Sequence, residues 1–368
     1  MRRREFVRAA SAGALGAGIA AGSGMLSGCS SIKLKQEHQP IDFDRKGKKP
    51  VGTMPMGEIG TTGIKVSKFG FGSHLRRDII KNEKEREWMI REAYNLGVRL
   101  YDVYDKEQNC FQYEPMGRHL APMINDVVIS ISILPWEDRT LREELERDLR
   151  LFGRDYIDMV RIHSYTPDDP SWGQWEELFK YKEQGKIRAV GIPIHRPGEL
   201  EFPLKTYPID YVIFPYNFYH NWTWLDWELK HKPFGEYDSM IAMLKEKGIG
   251  IVTMKAFASE WLIYPLIQLG KELDKTEEVS IPKAALHYII NSGLPIDTTL
   301  GGMYYPFHVY DNVDAFFNPK MTEAETNMLK KIRKQVKVIA QNHLPEHYRF
   351  LDRWATDSID DSDLDRMT

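Results

Sequence analysis

The sequence is poor in several features that would define a protein class. Cysteine occurs only twice, at Cys29 and Cys110, which is too few thiols for a cysteine-based metal site. The 50 lysines and arginines nearly balance the 53 aspartates and glutamates, and there is no long basic run, so electrostatics gives no case for a nucleic-acid partner. With 42% hydrophobic residues, the chain has the composition of an ordinary globular protein that buries a large core.

The N-terminal segment differs in composition from the rest of the chain. Arginines at positions 2–4 and a phenylalanine at position 6 precede a stretch rich in alanine and glycine that continues to Leu26. This stretch is too short and too rich in glycine for a stable membrane-spanning helix, and it is typical of a secretion signal. The Arg-Arg-x-Phe order resembles the twin-arginine export motif, which serves proteins that are exported in folded form.

The residues that end this segment, Leu26-Ser27-Gly28-Cys29, resemble a lipobox, in which the cysteine becomes the lipidated N-terminus after cleavage. We therefore expect residues 1–29 to be a lipoprotein signal, with Cys29 as the lipidation site and the mature protein exported and anchored at the periplasmic side of a bacterial membrane. Lipidated Cys29 would leave no second thiol for an intramolecular disulfide. The alternative is an ordinary signal peptide with a chance cysteine. Residues 30–55 are polar and aperiodic, as expected of a linker.

From Met56 onward, short β-branched runs alternate with amphipathic helical stretches. The pattern predicts one α/β domain over residues 56–345, a closed (β/α)8 TIM barrel whose active site lies at the C-terminal ends of the strands. An extra helix, Glu323–Ala340, is expected after the eighth unit, and the acidic residues 346–368 are expected to form a solvated tail. The eight strand candidates are Val66–Phe71, Val98–Asp102, Val127–Ser132, Ile157–His163, Ile187–Ile192, Tyr211–Phe214, Ile249–Met254 and Asp297–Leu300.

The longest connection, Asn217–Gly235, contains Trp222, Trp224 and Trp227. On the active face of a barrel, such a loop serves as a lid or substrate wall, or it packs its tryptophans onto the barrel. The sequence leaves both interpretations open.

Six segments resemble parts of the aldo/keto reductases and occur in that family's order: Met56–Ser67, Gly97–Asp102, Asp155–His163, Gly185–Ile192, Pro215–Asn217 and Ile249–Lys255. The first of them is similar to the hairpin that closes the bottom of the barrel in that family. The resemblance implies carbonyl reduction with NADP or NAD as the cofactor. It also implies a small-molecule carbonyl, or an aromatic or apolar ligand, as the partner.

The chemistry of that family explains which residue types it needs. A tyrosine donates a proton to the carbonyl oxygen, a lysine held by an aspartate lowers the pKa of that tyrosine, and a histidine orients and polarises the substrate. In this sequence the aspartate corresponds to Asp102 and the histidine to His163. Glu107 stands at the tyrosine position and Ser132 at the lysine position, so the usual tyrosine–lysine unit is replaced.

Asp102, Glu107 and His163 are therefore the candidate catalytic residues. Glu107 can serve as the proton donor if burial raises its pKa towards neutrality, and otherwise it is a solvated loop residue. Asp102 and His163 can equally be hydrogen-bonded structural remnants. Tyr104 and Tyr113, on either side of Glu107, offer a displaced phenol.

The nicotinamide end of the cofactor site is altered as well. The serine and asparagine that hold the carboxamide in the family correspond to Pro193 and Ile194, and the glutamine of the sixth strand corresponds to Ile213. Tyr216 is the residue expected to stack on the nicotinamide ring.

The phosphate and adenine end is expected at Gly301 and Asn312, which follow the eighth strand. No arginine or lysine stands between Gly302 and Asn312 to bind a 2′-phosphate. The dinucleotide is therefore expected to bind more weakly than in a typical family member.

Three functions are compatible with the sequence. The resemblance implies a lipid-anchored, nicotinamide-dependent oxidoreductase with a rearranged proton donor. The joint loss of the tyrosine and the lysine also fits a non-catalytic envelope protein that binds a ligand on the same barrel, a pseudoenzyme. The third possibility is a different acid/base reaction built on Asp102, Glu107 and His163, and no metal is expected there, since nothing in their spacing specifies one.

Overall fold

The fold is a closed parallel barrel preceded by a hairpin. The computed structural model describes residues 47–73, 83–104, 113–133, 140–194, 197–218, 236–257, 279–303, 305–332 and 362–367. The hairpin consists of β1 (Met56–Glu58) and β2 (Lys65–Ser67), which pair antiparallel. The barrel strands are β3 (Phe69–Gly72), β4 (Leu100–Val103), β5 (Val128–Ile133), β6 (Ile157–Ile162), β7 (Ile187–Pro193), β8 (Tyr211–Pro215), β9 (Gly250–Met254) and β10 (Thr298–Gly302). They close in the order β10-β3-β4-β5-β6-β7-β8-β9, which confirms the predicted (β/α)8 barrel.

Helices lie between the barrel strands: α1 (Glu83–Asn95), α2 (Tyr113–Leu120), α3 (Leu141–Phe152), α4 (Gln174–Glu183), α5 (Glu201–Thr206), α6 (Glu236–Glu246) and α7 (Ile281–Ile290). A further helix, α8 (Pro306–Phe317), follows β10. The sequence alone predicted neither α5 nor α8. In helix α3, capping residues determine where the helix begins and ends. Thr140 and Glu143 form a reciprocal capping box at its start, and Gly153 ends it in the left-handed conformation, with φ of 61°.

The predicted single strand Val66–Phe71 is wrong. Ser67 pairs with Met56 in the hairpin, whereas Phe69 pairs with Thr299 in the barrel, so the chain changes partner between these residues. At the junction, Lys68 donates its backbone N–H to the Pro55 carbonyl at 2.8 Å, and the Ser67 hydroxyl donates to the Phe69 carbonyl at 2.5 Å. Local hydrogen bonds at Ser67 and Lys68 therefore stabilise a kink that the sequence pattern did not reveal.

The hairpin plugs the bottom of the barrel. Ile59 and Ile64 are buried and belong to an apolar cluster inside the barrel. The turn fits tightly: Gly60 has φ of 49°, and a Cβ there would lie 2.3 Å from the Gly248 carbonyl oxygen. Asp297 fastens it by accepting from the backbone N–H groups of Gly60 at 2.9 Å and Ile251 at 2.8 Å. The predicted bottom hairpin is thus present, and the opposite mouth is left for a ligand.

The C-terminal region adds helix to the outside of the barrel. Residues 323–332 are helical, and the rest of the predicted helix Glu323–Ala340 lies outside the described residues. A buried contact of 2.9 Å between His287 Nδ1 and Glu325 Oε2 joins this helix to α7. Within the predicted acidic tail, residues 362–365 form one helical turn in which Leu364 is fully buried. That part of the tail therefore packs against protein.

Candidate active site

A buried ion pair joins β4 to β6 inside the barrel. Asp102 and Arg161 are 5% and 3% exposed. The guanidinium donates from Nη1 to Oδ1 of Asp102 at 2.5 Å and from Nη2 to Oδ2 at 3.0 Å. Ser130 on β5 donates its hydroxyl to Oδ1 of Asp102 at 2.6 Å and accepts from Arg161 at 2.9 Å. Two parallel hydrogen bonds of this kind fix the plane and position of the guanidinium.

Tyr211 lies beside this pair on the inner face of β8. Burial raises the pKa of Tyr211, and the positive charge of Arg161 opposes that effect only in part. Its ring occupies the space that Gly191 leaves open, since a Cβ on Gly191 would come within 2.4 Å of the ring. The phenol is therefore neutral at ordinary pH and belongs to the floor of the site, above the apolar cluster of the barrel interior.

His163 follows the last residue of β6 and is half-buried. Its imidazole lies between two tyrosine rings. The centre of the Tyr104 ring is 5.9 Å away at a tilt of 48°, and the centre of the Tyr165 ring is 6.5 Å away, edge to face. The predicted candidate His163 thus stands at the C-terminal ends of the strands, where the reacting groups of barrel enzymes are found.

Tyr104 follows β4 directly and is half-buried. The guanidinium carbon of Arg161 lies over its ring, 6.0 Å from the ring centre. The structure thereby brings Asp102, Arg161, Tyr104 and His163 into one group, which we call the mouth cluster. Two of its members, Asp102 and His163, were singled out as catalytic from the sequence, and Tyr104 was noted as a displaced phenol.

Arg161 was not identified from the sequence, although a signal existed. It stands among apolar residues in a run that was predicted to be a buried strand, and a charge on a buried strand needs a partner. Ser132, at the position where the resemblance places a lysine, is buried at 3% exposure and carries no charge. Glu107 lies outside the described residues, so its candidacy as proton donor stays a prediction.

The rim formed by β7 and β8 is apolar. Ile194 and Ile213 are 0% and 2% exposed, and the Ile194 backbone N–H is used by the Ile213 carbonyl at 2.8 Å. Pro193, the last residue of β7, has no backbone N–H to offer. These three positions therefore provide no side-chain hydrogen bond to a carboxamide.

Tyr216 and Lys255 close the strands β8 and β9. The Tyr216 ring is 6% exposed and stacks on Tyr288 of α7, with 6.0 Å between ring centres. One face of the ring is thus covered by protein, and its stacking on nicotinamide stays a prediction. Lys255 has φ of 55°, and its carbonyl accepts from the Asn217 side chain at 3.1 Å. Such backbone strain is common at functional sites.

The phosphate and adenine end was predicted at Gly301 and Asn312, which lie on β10 and α8. Gly301 packs in the barrel wall, where a Cβ would come within 2.6 Å of the Phe69 ring. Asn312 on α8 is fully buried, and neither its Oδ1 nor its Nδ2 has a hydrogen-bond partner in the described part of the chain. Arg86 of α1 places its guanidinium 3.4 Å from the carbonyl oxygen of Met303, just after β10. The guanidinium of Arg86, a residue distant from Met303 in the sequence, therefore lies close to the end of β10.

Comparison with known proteins decides the family. The aldo/keto reductase family matches residues 70–334, which include the barrel strands β4 to β10 and all of β3 except its first residue. The chain belongs to the aldo/keto reductase family. Among its relatives, L-galactose dehydrogenase of Arabidopsis thaliana is 23% identical over 296 residues, 70% of this chain and 86% of the plant protein. The uncharacterized oxidoreductase YqkF of Bacillus subtilis is 21% identical over 299 residues, 76% of this chain and 96% of that protein.

Solved structures of aldo/keto reductases share the fold. The holo form of an enzyme from Bacillus halodurans has a TM-score of 0.58 at 21% identity, over 76% of this chain and 96% of that one. An enzyme from Klebsiella pneumoniae, solved in complex with NADPH, has a TM-score of 0.59 at 16% identity, over 77% of this chain and 95% of that one. At these identities the similarity establishes the barrel, and the residues within it must be judged individually.

Two features are absent from the described residues of this aldo/keto reductase. Within these ranges, no helix has the length and apolar character needed to cross a bilayer. The same residues contain no group of three or more His, Cys, Asp or Glu side chains arranged to hold a metal ion.

Proposed function

We propose that this aldo/keto reductase is an exported, lipid-anchored enzyme that reduces a small-molecule carbonyl with a nicotinamide cofactor. The orphaned amide of Asn312 is the observation that carries the cofactor assignment. A buried amide with no partner costs free energy, which a ligand offering an adjacent donor and acceptor would recover. The edge of an adenine ring offers such a pair. The family resemblance predicted the adenine at this residue, and a related enzyme is solved with NADPH.

The residues at the other end of the site fit the reaction. The bound nicotinamide would supply the hydride. His163, half-buried at the barrel mouth, is placed to orient the carbonyl oxygen of a substrate, and the apolar rim of Ile194 and Ile213 keeps water away from it. Because this rim offers no side-chain hydrogen bond to the carboxamide, affinity must come mainly from the adenine and phosphate end. We therefore expect weaker binding than in a typical family member.

The other two functions are less well supported. Both carboxylate oxygens of Asp102 are held by Arg161, which disfavours Asp102 as the base of a non-redox reaction. The apolar rim at Pro193 and Ile194 favours the pseudoenzyme, as does the joint replacement of the family's tyrosine and lysine. Absence of dinucleotide binding at millimolar concentration would make the pseudoenzyme the better interpretation.

The cofactor assignment predicts a specific loss in Asn312→Ala. We expect the dissociation constant for NADPH, measured by fluorescence titration of the purified protein, to rise about tenfold, since one or two hydrogen bonds to adenine are lost. Asn318→Ala is the matched control: Asn318 directly follows the same helix, and its side chain donates to Asp314 at 2.7 Å. Equal affinity of the Asn312→Ala variant and the unaltered protein, with both folded, would contradict the assignment.

The export assignment predicts a different pair of outcomes. With Arg3 and Arg4 both changed to Lys, the precursor should remain in the cytoplasm, since the twin-arginine motif is lost. With Cys29→Ala, no lipid can be attached, so the protein should be absent from the lipid-labelled fraction when cells are grown with a radioactive fatty acid. An unchanged membrane fraction and unchanged lipid labelling in both variants would refute the proposal.

A further inference from the structure

The mouth cluster supplies a cation at the place where the family's lysine is missing. Ser132 cannot provide one, but Arg161 reaches the barrel interior from β6 and is fixed there by Asp102 and Ser130. Arg161 and His163 are two residues apart, so their side chains leave the same side of the chain. Asp102, which would pair with the family's lysine, therefore still pairs with a cation. That cation is Arg161, which lies on a different strand.

Two phenols lie near this cation: Tyr211 is fully buried in the barrel interior, whereas Tyr104 is half-buried at the mouth, where a substrate can reach it. Tyr104 stands two residues after Asp102, directly after the end of β4, and its contacts with Arg161 and His163 place its ring at the mouth of the barrel. The ring is in contact with both functional neighbours, with its centre 6.0 Å from the Arg161 guanidinium carbon and 5.9 Å from the centre of the His163 ring. A phenol, a fixed cation and an imidazole therefore meet at one point of the mouth.

We infer that Tyr104 is the proton donor of the carbonyl reduction and that Arg161 is the residue that positions and assists it. This inference rests on the proposed function. In the step, hydride from the reduced nicotinamide forms the new C–H bond at the carbonyl carbon, and the C=O π electrons move to oxygen. The oxygen takes the Tyr104 hydroxyl proton, which gives the alcohol and the Tyr104 phenolate. A proton from water then restores the phenol.

The position of Arg161 explains why the transfer is favourable. A cation over an aromatic face is attracted to the ring, and the attraction grows when the ring gains negative charge. The phenolate that forms as Tyr104 gives up its proton is such a ring. Because Asp102 and Ser130 already hold the guanidinium, it needs no reorganisation during the reaction. His163, whose ring centre is 5.9 Å from that of Tyr104, would hold the substrate oxygen within reach of the hydroxyl.

The decisive variant is Tyr104→Phe, which removes the hydroxyl and keeps the ring. We expect kcat for reduction of an aromatic aldehyde to fall at least about a hundredfold, the usual contribution of a general acid, while the dissociation constant for NADPH is unchanged. Tyr94→Phe is the matched control, because Tyr94 also lies under an arginine, Arg99 at 4.2 Å, but on the outside of the barrel. It should keep the kcat of the unaltered protein.

A second readout does not depend on turnover. Phenolate absorbance is followed while the pH is raised, and the titration of Tyr104→Phe is subtracted from that of the unaltered protein to isolate one phenol. In Arg161→Lys this phenol should still ionise at nearly the same pH, whereas in the double variant Asp102→Asn with Arg161→Met it should ionise at distinctly higher pH. The Arg161→Lys variant should likewise retain more activity than the double variant.

The outcomes separate this inference from the proposed function. If Tyr104→Phe keeps the kcat of the unaltered protein, or if the isolated phenol titrates identically with and without Arg161, the inference is overturned and the reductase assignment stands. If the unaltered protein binds no NADPH, both are overturned. A selective loss of kcat in Tyr104→Phe, together with a phenol that responds to Arg161, supports the inference.

Discussion

Arg161→Met is expected to lower the free energy of unfolding by about 3 to 5 kcal/mol, because it leaves the Asp102 carboxylate buried without its cation. The neighbourhood offers little compensation. Among the described residues, Ser130 would remain as a donor to the Asp102 carboxylate, and its surroundings in the barrel interior are Tyr211 and apolar side chains. Water cannot easily replace the guanidinium there, since both partners of the pair are almost completely buried. Urea denaturation followed by circular dichroism measures the loss.

The double variant Asp102→Asn with Arg161→Met tests the cause of that loss. With both charges removed, we expect most of the lost stability to return, because replacing a whole buried pair costs much less than breaking it. Arg142→Met serves as the control, since the Arg142 side chain is 69% exposed in its pair with Glu146 and should contribute nothing measurable. A double variant as unstable as Arg161→Met alone would show that Arg161 supports the fold through other contacts.

Most of the barrel could be predicted from the sequence because its strands are buried on both faces. Such strands appear as short apolar runs between amphipathic helices, and all eight were found. The helix α8 was missed for a physical reason. Its sequence, PFHVYDNVDAFF, is rich in aromatic and β-branched residues with low helix propensity, and burial against the barrel stabilises it instead. The hairpin and the first barrel strand were merged because the polar residues at the kink, Ser67 and Lys68, are also compatible with one continuous strand.

The sequence predicted only those active-site residues whose position follows from the local chain. Asp102 and His163 could be placed at the mouth because each closes a strand. The pairing of Asp102 with Arg161 could not, since the two residues are 59 positions apart and the pairing depends on the stagger of neighbouring strands. The orphaned amide of Asn312 is likewise visible only when its surroundings are known. Arg161 supplies from β6 the positive charge that a lysine would supply from the position of Ser132, and nothing in the sequence around Ser132 indicates this.

The central claim is that this barrel still carries out hydride transfer although the usual tyrosine and lysine positions hold Glu107 and Ser132. Deuterium transfer tests it most directly, because the label reports the chemical step and cannot be imitated by binding alone. The purified protein would be incubated with NADPH that carries deuterium at the transferable position and with an aromatic aldehyde. Mass spectrometry of the alcohol then shows whether the label has reached the carbonyl carbon.

Asp102→Asn with Arg161→Met, in which the mouth cluster has lost its ion pair, and a sample without protein are the controls for that measurement. The account predicts that the alcohol formed by the unaltered protein carries one deuterium at the former carbonyl carbon, at a rate far above that of either control. Binding of NADPH without any labelled alcohol, across aldehydes and ketones of different size, would contradict the account and identify the barrel as a binding protein.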